Sequence, residues 1–139
     1  MAWITPVTDR QQGARTKPAD MNRIAGNLDY LTETLGSHSL YYGRTIAKTA
    51  YTQNDFGTRA DWTNVLAVLT DLQSALDLSQ AGQATDATTW TNFNEVESIT
   101  LALYERTEQL LAQEALNHFS GQGYYSRSDA AKFYAGGLL

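Results

Sequence analysis

The sequence predicts an all-α fold: three amphipathic helices in a bundle or an open helical array, with extended arms at both ends. Two observations predict it. Apolar residues recur at the helical period in three separate stretches, and each stretch opens on the same kind of start signal. The arms span 1–16 and 122–139, and the helical domain spans 17–121.

In the first stretch, Met21, Ile24, Leu28, Leu31 and Leu35 advance by alternating steps of three and four, which lays them on one stripe. Pro18 suits a first helical turn, Asp20 favours the positive end of the helix dipole, and Gly36 stands where a left-handed residue ends a helix. Helix 1 is expected at about 18–35. The second stretch pairs Thr58 with Asp61 as a capping box and continues through Trp62, Val65, Leu66, Leu69, Leu72 and Leu76. Its pattern fades in Ser79-Gln80-Ala81-Gly82, so helix 2 is expected at 59–79. The third opens on Asn92 and Glu95 as a cap and carries Phe93, Val96, Ile99, Leu103, Leu110 and Leu111. Arg106 and Thr107 interrupt that stripe, so the later half of helix 3, expected at 92–119, either turns its buried face or extends beyond the other helices.

Aligned by their starts, the stretches read Asp20-Met21-Asn22-Arg23-Ile24, Asp61-Trp62-Thr63-Asn64-Val65 and Asn92-Phe93-Asn94-Glu95-Val96. Two explanations stand: convergence on good helix starts, or an internal duplication.

The connection 37–57 holds Leu40, Tyr41, Tyr42, Ile46 and Tyr51, too aromatic for a solvated linker and long for a helix–helix link. It is expected to pack on something. Large apolar side chains also lie in both arms: Trp3, Ile4 and Pro6 at one end; Tyr125, Phe133, Tyr134, Leu138 and Leu139 at the other. Such arms either fold back on the bundle or dock on another subunit. These residues, with Tyr41 and Tyr42, are the interface candidates.

Composition narrows the function classes. The 139 residues carry a formal net charge of −5 with only ten Lys and Arg, which disfavours phosphate neutralisation along a nucleic acid. No apolar run approaches the ~20 residues of a spanning helix. The absence of cysteine excludes disulfides, thiolate nucleophiles and Cys-ligated metals. His38 and His118 lie in no metal-binding spacing, and there is no nucleophile elbow or phosphate-binding glycine loop. Glu95, Glu97, Glu105 and Glu108 share helix 3, but acidic residues on a helix exterior are ordinary solvation. A hydrolase built on Glu105 and Glu108 is the remotest reading. No enzyme activity, cofactor or metal is expected. The polar face of helix 1, with Asn22, Arg23 and Asn27, is either a solvated face or a recognition surface.

One resemblance adds to this. Trp3-Ile4-Thr5-Pro6-Val7-Thr8-Asp9-Arg10, followed by Asp20-Met21-Asn22-Arg23-Ile24, Asn27-Leu28 and Tyr30-Leu31, resembles the opening of small virion structural proteins of tailed bacteriophages and prophages of Gram-positive bacteria. Asp61-Trp62, Asn64-Val65-Leu66 and Thr91-Asn92-Phe93-Asn94-Glu95-Val96-Glu97 are similar to later segments of those proteins. The resemblance implies a non-enzymatic tail, baseplate or fibre-attachment component in the virion, made in the host cytoplasm, whose partners are other virion proteins and further copies of itself, with no nucleic acid or membrane. Those proteins often continue into a fibre-like or host-binding region; the short tail after residue 121 favours an adaptor or joint. It names no ligand for the motif residues Asn22, Arg23, Asn27, Asp61, Trp62, Asn94 and Glu95. A helical protein–protein interaction module with a regulatory role is the competing expectation.

Overall fold

A computed structural model describes residues 3–121, and side chains as far as 116. It contains three α-helices, α1 (Pro18–Ser37), α2 (Arg59–Ala75) and α3 (Trp90–Gly121), and one short 3-10 turn (Ser79–Ala81). No strand occurs among the described residues; Thr52 and Asp55 form an isolated bridge. The all-α fold with three helices is what the periodicity predicts.

Several boundaries differ from expectation for local reasons. Helix α1 runs past Gly36, and the left-handed residue that closes it is Ser39 (φ 59°), with the Leu40 amide donating to Leu35 O at 2.8 Å. Helix α2 stops at Ala75 because Asp77 turns left-handed (φ 56°) and the Leu78 amide returns to Gln73 O at 2.8 Å. Helix α3 begins two residues before Asn92. Its cap is Thr89, which accepts the Asn92 amide at 3.3 Å through Oγ1 and the Phe93 amide at 3.0 Å through its carbonyl. The Asn92–Glu95 cap is therefore incorrect. The Thr58–Asp61 capping box forms in both directions, at 3.2 and 2.8 Å.

With these starts in place, Asp20, Asp61 and Asn92 all occupy the third helical position, at offsets of 41 and 72 residues. The same offsets relate the core. Met21, Trp62 and Phe93 are buried, as are Ile24, Val65 and Val96, and again Leu31, Leu72 and Leu103. The helices also run in one direction. Arg23 meets Glu97, and Tyr30 meets Tyr104 with ring centroids 6.3 Å apart, so both partners advance by seven residues. At the helix starts, Trp62 and Phe93 lie 5.0 Å apart.

Parallel neighbours need long return connections, since a hairpin-length loop permits only antiparallel packing. The connection 38–58 descends α2 from Asp71, where Arg44 pairs, to Asn64, where Ala47 is held, and ends beside Asp61 at Gly57. Gly57 has φ +93°, and a Cβ there would lie 2.6 Å from the Tyr51 ring. Residues 78–87 descend from Gln73 to Asn92 in the same sense. So does the N-terminal segment, from Trp3 beside Tyr30 to Arg10 beside Asn94. Each helix is thus preceded by an extended segment running antiparallel to it. The three segments lie between α1 and α3, α1 and α2, and α2 and α3.

The connection after α1 packs as expected, with Tyr41 and Tyr51 buried at 6% and 4% exposure. Compact units divide at Arg106/Thr107, inside α3. The first unit is the bundle just described. The second holds the remainder of α3, with Thr107 buried and Leu116 exposed.

Candidate functional site

The densest polar constellation lies where the N-terminal segment crosses α1 and α3. From α1, Asp20 and Arg23 sit one turn apart; from α3, Asn94 and Glu97 do the same; Arg10 enters from the segment. Arg23 grips Glu97 with two parallel bonds, Nε to Oε1 at 2.7 Å and Nη2 to Oε2 at 2.8 Å, and reaches Asp20 at 2.7 Å. Arg10 bonds both carboxylates, at 3.1 Å to Asp20 and by a very short contact to Glu97, and its guanidinium lies 5.6 Å from the centre of the Phe93 ring. Its Nη1 also donates to Val7 O at 2.8 Å, and the Val7 amide donates to Glu97 Oε1 at 3.1 Å.

Two cations and two anions close on one another, so the cluster carries no net charge. That balance permits the burial: the Glu97 and Arg10 side chains are 1% and 7% exposed, and an isolated ion at such depth would carry a heavy desolvation penalty. Burial alone would raise the Asp20 carboxyl, but the Lys17 amide and the Arg23 and Arg10 guanidiniums outweigh it and hold Asp20 below its ordinary value. The hydrogen bonds that Arg23 donates to Glu97 and then to Asp20 raise it above its ordinary value against its own burial.

Around the cluster, asparagines act as surrogate peptide groups. A carboxamide offers one acceptor and one donor side, so it can satisfy the N–H and C=O of an extended chain as a neighbouring strand would. Asn27 does this to Ile4 at 2.9 and 2.7 Å, and Asn94 to Arg10 at 3.1 and 3.2 Å. Asn22 holds Tyr51 at 2.6 and 3.1 Å. Asn64 takes Ala47 N and Thr45 O, and Asn92 takes Thr85 N with Thr85 O and Ala87 O. Asn22 and Asn94 occupy corresponding helix positions, and so do the residues they hold, Tyr51 and Arg10, by the same offsets of 41 and 72.

The sequence-derived candidates fall into distinct groups. Asn22, Arg23, Asn27 and Asn94 converge on the extended segments; Asn27 is 1% exposed, and Asn22 and Arg23 are half-buried. Asp61 serves as a cap, Trp62 is buried against Phe93, and Glu95 accepts the Gln83 amide at 3.2 Å. Trp3 stacks on Tyr104 at 4.0 Å and 11° and is half-buried, as is Pro6, whereas Ile4 is exposed. Tyr41 is buried in its own chain and is withdrawn as an interface candidate, whereas Tyr42 is 86% exposed. Tyr125, Phe133, Tyr134, Leu138 and Leu139 lie outside the described residues.

Glu97 overturns its reading as an exterior carboxylate, while Glu105 and Glu108 are exposed. Sequence reasoning gave no separate role to Arg10 and Asn64, and read Glu97 as ordinary solvation and Asn92 as a cap. One signal was legible: Asn27 falls three residues after Ile24 and beside Leu28, a position a helix turns inward. Among the described residues, no group of His, Asp or Glu is arranged to hold a metal ion, and no helix is long and apolar enough to cross a membrane. Compared with known protein families, curated proteins and solved structures, the chain matches none.

Proposed function

We propose that the protein is a non-enzymatic structural component of a bacteriophage virion, an adaptor or joint in the tail, baseplate or fibre-attachment region. The observation that carries this reading is the buried cluster of Arg10, Asp20, Arg23 and Glu97. The residues that bear the resemblance to virion proteins are largely the ones that build it and its clamps: Trp3, Arg10, Asp20, Asn22, Arg23, Asn27, Asn94 and Glu97. Their polar groups are spent on holding an extended segment in register against two helices, not on a reactive centre. A motif that encodes a rigid junction suits a part whose work is to keep geometry under load. Its partners on this reading are other virion proteins and further copies of itself.

Particles purified from the bacterium that carries the gene provide the test. The protein should be found in salt-washed, gradient-purified virions at a fixed copy number relative to the major tail protein. Gold-labelled antibody should mark the tail or its tip. Recovery of the protein only in the particle-free fraction would overturn the proposal and favour the regulatory interaction module.

A further inference from the structure

At the end of the bundle where all three helices start, the packing leaves a cavity of about 400 Å³. Its floor is Met21, Trp62 and Phe93, and above them stand Thr16, Gly57 and Thr88. Each set contains one residue from each helix or the extended segment before it, related by the offsets of 41 and 72 residues. The cavity is therefore built by all three units together. Phe56, at its edge, is 44% exposed, an apolar ring that its own chain does not cover.

The lining chemistry selects a ligand class. Two aromatic rings and a thioether line it, an apolar and polarisable set that favours another aromatic ring. The charged residues at the cavity, Arg59 and Asp86, pair with each other at 3.0 Å, so neither sign of ion is selected. Trp62 is 6% exposed, and its indole N–H meets no acceptor. A buried donor without a partner is costly, and an acceptor on a bound group removes that cost. The volume lies within the range of small-molecule sites, roughly 300–1,000 Å³.

We infer that this cavity is a binding site for one uncharged aromatic ring carrying a hydrogen-bond acceptor, of the size of a phenol or an indole. Such a ring comes either as a free small molecule or as a tyrosine or tryptophan side chain on a partner. The inference stands independently of the virion reading.

Ligand-observed NMR and tryptophan fluorescence with the full-length protein test it, using p-cresol and indole as free rings and N-acetyltyrosinamide and N-acetyltryptophanamide as side-chain mimics. Saturable binding in the millimolar range or tighter is expected, as suits about ten heavy atoms. Thr88→Trp and, independently, Thr16→Trp fill the cavity from its upper ring and should each weaken binding roughly tenfold or more, with circular dichroism showing the fold intact. Tighter binding of the blocked amides than of the free rings assigns the site to a partner's side chain; the reverse assigns it to a small molecule. No saturable binding of any probe, or binding that both filled variants retain, would overturn the inference.

Discussion

The groove between α1 and α3 and the groove between α1 and α2 hold their extended segments by the same device and then diverge. In each, an asparagine at the corresponding helix position grips the backbone of the corresponding segment residue: Asn94 on Arg10, Asn22 on Tyr51. In the first groove, the clamped residue carries a charge that plunges into the buried cluster with Glu97. In the second it is a buried tyrosine, and the ion pairs nearby, Arg44–Asp71 and Lys48–Asp55, lie toward solvent. The difference separates two ways of fixing an extended segment. Carboxamide clamps set register cheaply with neutral groups, whereas a buried ion cluster makes one register compulsory, because any slip leaves a charge without its partner.

The sharpest way to break the comparison is Glu97→Gln, which leaves Arg10 and Arg23 buried with one anion between them. Destabilisation of about 3–5 kcal/mol is expected in urea titrations, and a loss below about 1 kcal/mol would mean that the cluster sets no register. Asn94→Ala and Asn22→Ala should each cost about 1–3 kcal/mol, since each strands a backbone N–H and C=O. Amide exchange should localise the damage to Arg10 in the first variant and Tyr51 in the second. Equal loss of protection at both sites in either variant would show that the grooves are not independent.

Acid offers a third, smaller effect. Asp20 is held below its ordinary value of 3.8, so in strong acid the unfolded chain binds its proton before the native state does. Its contribution is complete above that ordinary value and disappears as pH falls through the native one. Urea midpoints taken between about pH 6 and pH 2 should therefore fall more steeply for the native protein than for Asp20→Asn. The smallest effect belongs to Arg44→Ala. Arg44 is solvent-exposed and its partner Asp71 only partly covered, so water and salt screen the pair and the unfolding midpoint should not move measurably.

The same contrast explains what could be read beforehand. The apolar stripes of α1, α2 and α3 were legible because a 3.6-residue period is a local property, and the Thr58–Asp61 box because capping acts within one turn. Ser39 and Asp77, non-glycine residues in left-handed conformation, were not legible, since their cost is covered by helix-closing bonds that only the folded turn supplies. Nor was Glu97 distinguishable from Glu105: both are glutamates on α3, and only one meets guanidiniums from 74 and 87 residues away.

Local chemistry alone was enough to establish three helices and the side chains that stripe them. It also showed the recurring start that now relates Asp20, Asp61 and Asn92. The shared direction of those helices, the descent of three extended segments into the grooves between them, and the burial of Arg10 and Glu97 were settled only by the assembled chain. The reason is physical: a hydrophobic period depends on near neighbours, whereas a charge can leave water only where a distant part of the molecule brings the opposite charge to meet it.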